Sequence, residues 1–145
     1  MKLKRRMAFA GVVVFASVMV TGRATWAVDP CSLLTAEQAA AALGVPDVNA
    51  AGSAKICNWT PRKYARGAGQ ISVVLEGASD GAKMTGLGTA VSGVGDEAIQ
   101  TVVGEGAVLH VRKGNSWFVV NVHGVPLAQA TQVEQNVAKQ IAGKL

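Results

Sequence analysis

The feature that most constrains the fold is a pair of cysteines, Cys31 and Cys57, the only two in the chain. Cys31 lies in the segment D-P-C-S-L-L-T (residues 29–35), just before a predicted helix, and Cys57 lies in a predicted strand. Two cysteines in an exported chain are expected to be oxidised. Their bridge would close a loop of about 27 residues and contribute roughly 3 kcal/mol in the chain-entropy model. We therefore predict a disulfide that holds the start of the domain to its sheet.

Zinc is the alternative partner for these thiols, because His110 and His123 could complete a set of two sulfurs and two nitrogens. The spacing argues against it, since neither pair shows the short separation of common structural zinc sites. We expect no metal and no other cofactor.

The first 27 residues have the layout of a secretory signal peptide, in which a basic start precedes an uncharged apolar run over residues 7–20. This run is shorter than the roughly 20 residues of an ordinary membrane span. Cleavage after Ala27 fits best; cleavage after Ala24 and an uncleaved anchor are the alternatives. Cys31 follows Pro30, which does not fit lipid attachment. We predict a signal peptide over 1–27, a single domain over 28–145, and an exported protein, periplasmic or secreted, without a membrane tether after cleavage.

The positive charge of the chain belongs to this leader. The formal net charge is +5, from 14 Lys and Arg against nine Asp and Glu, and five of the 14 cations lie in the first 27 residues. The remainder carries nine charges of each sign, so long-range attraction gives no reason to expect a nucleic-acid partner.

Two helices are predicted at the ends of the domain. Thr35 and Gln38 form a capping-box pattern, and Gly44 with Pro46 ends the short helix that follows. Pro126 suits the first turn of a longer C-terminal helix with an apolar stripe at three- and four-residue spacing.

Five strands are predicted between these helices, over residues 56–60, 70–76, 97–103, 107–113 and 116–123. Residues 47–55 are interpreted as a loop. Residues 77–95 are interpreted as a glycine-rich connection that lacks a phosphate-loop motif. The predicted fold is α+β, with one antiparallel sheet of about five strands and a short N-terminal and a longer C-terminal helix packed on one face.

Four segments carry a family resemblance: D-P-C-S-L-L-T at 29–35, C-N-W at 57–59, G-V-G-D-E-A at 93–98 and V-R-K-G at 111–114. Together they resemble a family of small bacterial envelope domains, many of whose members are actinobacterial lipoproteins. The resemblance implies a PsbP-like or related α+β fold, a Cys–Cys bridge and an exported location. This chain departs from the lipoprotein members because it lacks a lipid-attachment cysteine. The shared segments contain no catalytic set.

Catalysis is not predicted. Only His110 and His123 could act as bases near neutral pH, and neither stands in a pattern with a nucleophile and an acid. We interpret both as structural or surface residues and expect that the protein is not an enzyme.

Partner binding is the predicted role. Arg62, Lys63, Tyr64 and Arg66 form a basic and aromatic cluster in the turn at residues 61–69, which suits a protein or an anionic envelope component. A solvated hairpin tip is the alternative. Trp117 is a further candidate for an exposed binding patch. The predicted function is therefore a non-enzymatic exported envelope domain, and the alternative is a carrier of a small or lipidic ligand in a cavity between sheet and helices.

Overall fold

The fold is that of a computed structural model, which describes residues 28–63, 67–83 and 86–145. A 3-10 turn, Pro30–Ser32, precedes three helices and seven strands. The helices are α1 (Ala36–Leu43), α2 (Ala78–Ala82) and α3 (Leu127–Ala142). The strands are β1 (Val48–Gly52), β2 (Ile56–Pro61), β3 (Gln70–Glu76), β4 (Thr89–Ala90), β5 (Glu97–Val103), β6 (Gly106–Lys113) and β7 (Ser116–His123).

All seven strands form one antiparallel sheet in the order β1-β2-β3-β7-β6-β5-β4. The predicted α+β class with a single antiparallel sheet is confirmed, whereas the predicted count of about five strands is wrong. The two additional strands, β1 and β4, are the two edges of the sheet. Apart from the buried Val48, their residues are small or polar, so their strand structure comes from pairing with β2 and β5 rather than from an apolar alternation.

The local sequence explains where α1 begins and ends. The Thr35 hydroxyl accepts from the Gln38 amide at 3.2 Å, and the Thr35 amide donates to the Gln38 side chain at 3.0 Å. Gly44 takes a left-handed conformation with φ of 68°, which a glycine adopts without a steric cost. Pro46 follows and prevents further helix.

The predicted disulfide between Cys31 and Cys57 is confirmed, with the two Cα atoms 5.1 Å apart. It ties the 3-10 turn to β2, where Cys57 pairs with Gly52 of β1. A side chain at Gly52 would meet the Ile56 carbonyl and come within 3.0 Å of the Cys31 sulfur. Because both thiols are consumed by the bridge, the alternative zinc site with the histidines is wrong.

The apolar core lies on one face of the sheet. Alternate residues of β3 and β7, namely Ile71, Val73, Leu75, Phe118, Val120 and Val122, are buried there. Helix α1 contacts β1, β2 and β3, helix α3 contacts β6 and β7, and the two helices contact each other. None of the helices in the described ranges combines the length and the apolar character needed to span a membrane.

The opposite face carries α2, which contacts β6 and β7. Trp117 points to this face because neighbouring strand residues alternate and Phe118 faces the core. A side chain at Gly81 would overlap the Trp117 indole. Glycine therefore lets the short helix lie directly on the ring.

Candidate functional site

The predicted partner-binding residues that the structure describes do not form one surface. Arg62 and Lys63 are exposed directly after β2. Trp117 lies on the α2-covered face of the sheet and is only 4% exposed, so it belongs to the packing under α2 rather than to a surface patch. Tyr64 and Arg66 lie outside the described residues.

Arg62 and Lys63 line a surface groove of about 390 Å³ together with Val45, Pro46, Asp47 and Pro61. We call these six residues the edge groove. The chain leaves α1 at Gly44 and turns into β1, while β2 ends opposite it, with Val48 paired to Pro61. The Arg62 amide donates to the Asp47 carbonyl at 3.3 Å and so joins the two walls. Sequence analysis found the cations but missed the wall formed by residues 45–47, which is 14 or more positions away in the chain.

The edge groove combines an apolar floor with a cationic rim. Val45, Pro46 and Pro61 supply the apolar surface. Arg62 Nε lies 2.7 Å from Asp47 Oδ2, with side chains 61% and 56% exposed, so this pair contributes at most about 1 kcal/mol. Among the described residues, no carboxylate lies within 4.0 Å of the Lys63 amine. The rim is therefore positive overall, because one acid faces two bases.

The two histidines occupy different environments. His110 is 7% exposed, and its Nδ1 lies 3.6 Å from Glu76 Oε2 on the α2-covered face. Both atoms are buried, and neither has a hydrogen-bond partner among the described residues. His123 is exposed and lines a separate open groove beside the β5–β6 turn and the start of α3. The histidines are thus apart in the fold and do not form a shared site.

Two of the segments that carry the family resemblance meet in space. Asp96 Oδ2 accepts from the Gly114 amide at 2.7 Å, and Asp96 Oδ1 lies 3.1 Å from the Lys113 amine. The hydrogen bond from Gly114, aided by the neighbouring Lys113, lowers the pKa of Asp96. Arg112 also contacts Glu97 at 3.2 Å. These residues anchor the start of β5 to the β6–β7 turn, which is a structural role.

Glu134 is a buried polar residue that sequence analysis missed. It lies on the core side of α3 and is 0% exposed. Its Oε2 accepts from Gln100 Nε2 at 2.6 Å, and its Oε1 accepts from the Val122 amide at 3.0 Å. Burial raises its pKa to about 7, although both hydrogen bonds act in the other direction. Its sequence neighbours, Val133 and Gln135, gave no signal, because the polar partners of Glu134 come from β5 and β7.

Among the described residues, no group of three or more His, Cys, Asp or Glu side chains is placed to hold a metal ion. Comparisons with protein families, curated proteins and solved structures found no match to this chain. The family resemblance therefore stays a prediction.

Proposed function

We propose that this protein is a non-enzymatic, exported binding module of the cell envelope, and that its partner is a protein bound at the edge groove. The observation that carries the proposal is the groove itself: an apolar floor beside a positive rim on an exposed corner of the sheet. Such a surface suits a partner that offers an apolar side chain next to a carboxylate.

Two features support the exported setting. The disulfide suits an oxidising compartment, where such bridges persist. The sequence of residues 1–27, which lie outside the described residues, has the layout of a signal peptide. The predicted carrier function finds less support, because large side chains from the sheet, α1 and α3, including Phe118, Leu43 and Ile141, fill the space between these layers.

The test compares the protein with a double variant, Arg62→Ala with Lys63→Ala. The matched control is Lys55→Ala with Lys139→Ala, which removes the same charge from exposed positions outside the groove. Each form is crosslinked in the native periplasm and the captured proteins are identified by mass spectrometry. Binding to vesicles of phosphatidylglycerol and to neutral vesicles is measured in parallel.

We expect the groove variant to lose a captured protein that the control retains. Equal capture by all forms would contradict the proposed site. Loss of binding to anionic vesicles alone would replace the protein partner with an anionic lipid surface.

A further inference from the structure

The outer edge of β1 is an edge of the sheet at which a further strand can pair. β1 is the first strand in the sheet order and pairs with β2 on one side only. Within the described residues, no strand pairs with its other side. Asn49, Ala50, Ala51 and Gly52 are all exposed.

The hydrogen bonds at the two ends of β1 show which backbone groups point outward. The Arg62 amide donates to the Asp47 carbonyl at 3.3 Å, and the Ser53 amide donates to the Ile56 carbonyl at 2.8 Å. Because the direction of backbone groups alternates along an antiparallel strand, residues 47, 49, 51 and 53 face β2. The amides and carbonyls of Val48, Ala50 and Gly52 therefore face away from the sheet.

This edge lacks the usual protection against pairing. Natural edge strands are commonly blunted by charged side chains, prolines, bulges or very short length. β1 has the sequence V-N-A-A-G, without a charge or a proline, and its exposed side chains after Val48 are small. The opposite edge is different, since β4 has only two residues.

The open edge continues directly into the edge groove. Val48 pairs with Pro61, and residues 45–47, which precede it, form one wall of the groove. A strand added antiparallel to β1 would run from Gly52 towards Val48. Its C-terminal half would then pass Pro46, which lines the edge groove together with Lys63.

We propose that the partner binds by strand addition, as an extended peptide segment that pairs antiparallel with the outer edge of β1. Main-chain hydrogen bonds to Val48, Ala50 and Gly52 supply sequence-independent affinity. Specificity comes from an apolar side chain in the edge groove, followed by a carboxylate at Lys63, which has no carboxylate partner among the described residues. The positive rim thus selects an acidic partner segment. This inference rests on the proposed function and adds the mode of binding and the chemistry of the partner.

The first experiment uses random peptides displayed on phage and selected on the oxidised protein. We expect enriched peptides to share an apolar residue followed by Asp or Glu. Hydrogen exchange, followed by NMR with one synthesised peptide, should slow at the amides of Val48, Ala50 and Gly52. The amides of Asn49 and Ala51 should already be slow in the free protein, because they face β2.

Two pairs of variants separate strand addition from the groove contact. Ala50→Pro removes an outward amide without removing a bond to β2, and it should weaken the peptide at least about tenfold, while Ala50→Val, which keeps the amide, should bind nearly as well as the parent. Lys63→Glu should weaken an acidic peptide by about tenfold or more. Lys55→Glu makes the same charge change at the other end of β1 and should have a much smaller effect.

A peptide methylated on the backbone nitrogens that pair with β1 tests the same bonds without altering the protein. If binding depends on Lys63 but is unchanged by Ala50→Pro and by peptide methylation, the groove remains the binding site and strand addition is wrong. If no enriched peptide depends on either position, while the crosslinked partner still depends on Arg62 and Lys63, the proposed function stands and the peptide segment is wrong. If peptide binding depends on neither Ala50 nor Lys63, and capture of the crosslinked partner does not depend on Arg62 and Lys63, both proposals are wrong.

Discussion

Glu134 should make the stability of this fold decrease as pH rises. Its carboxyl is fully buried between α3 and the sheet, and its two recorded partners, Gln100 and the Val122 amide, are neutral. Burial raises its pKa from 4.5 to about 7. Since the folded state holds this proton more tightly than the unfolded state, the folded protein binds more protons between these two values.

The direction and size of the change in unfolding free energy follow from the difference between the folded and unfolded pKa values of Glu134. The contribution of the neutral carboxyl is fully present below about pH 4.5 and is lost as pH rises through about 7. At roughly 1.4 kcal/mol per pKa unit, the loss amounts to about 3 kcal/mol of unfolding free energy. This is a substantial part of the roughly 5–15 kcal/mol that holds a typical domain together.

The measurement is urea unfolding from pH 4.5 to 8.5, followed by the fluorescence of the buried Trp59 and Trp117. The variant Glu134→Gln keeps the shape of the side chain without a titrating proton. The unfolding free energy of wild type should therefore fall by about 3 kcal/mol relative to that of the variant between pH 4.5 and pH 8.5. Glu105→Gln, at an exposed turn, is the control and should follow wild type. The reasoning fails if Glu134→Gln shows the same pH dependence as wild type.

Three further changes test the packing. Reducing the disulfide should lower the unfolding free energy by about 3 kcal/mol in urea titrations, and two alkylatable thiols in freshly isolated, unreduced protein would contradict the bridge. Gly81→Ala should push α2 off the Trp117 ring, cost about 1–3 kcal/mol and shift the tryptophan emission to the red, while Gly77→Ala, where a side chain has room, should leave the emission unchanged. Ile141→Ala should cost about 2–4 kcal/mol by urea unfolding because this side chain is fully buried, whereas Val103→Ala at an exposed position should change stability by under about 0.5 kcal/mol; equal effects would refute the assigned core.

The features of the fold that the sequence predicts correctly depend on residues that are close together in the chain. Thr35 and Gln38 are three positions apart, so their capping box can be recognised without knowing the rest of the structure. The alternation in β7 likewise separates Phe118 from Trp117. It does not reveal that α2 buries Trp117, because that contact comes from a different part of the chain.

The two strands that the sequence did not predict, β1 and β4, lie at the edges of the sheet, and they too depend on contacts between distant parts of the chain. β1 has small side chains and carries little strand signal of its own, and it becomes a strand because its backbone pairs with β2. For the candidate site, the charges of Arg62 and Lys63 were visible in the sequence. The groove was not, because Val45 and Pro46 reach it only after β1 and β2 have paired.

Short-range patterns in the sequence were enough to predict the ends of α1 and the alternating faces of the long strands, and the presence of just two cysteines was enough to predict a disulfide. Three features became visible in the folded structure alone: which strands lie at the sheet edges, the burial of the Glu134 carboxyl, and the connection of the open β1 edge to the edge groove. Strand pairing and burial join groups that are far apart in the chain, so their energies depend on partners that no local pattern identifies.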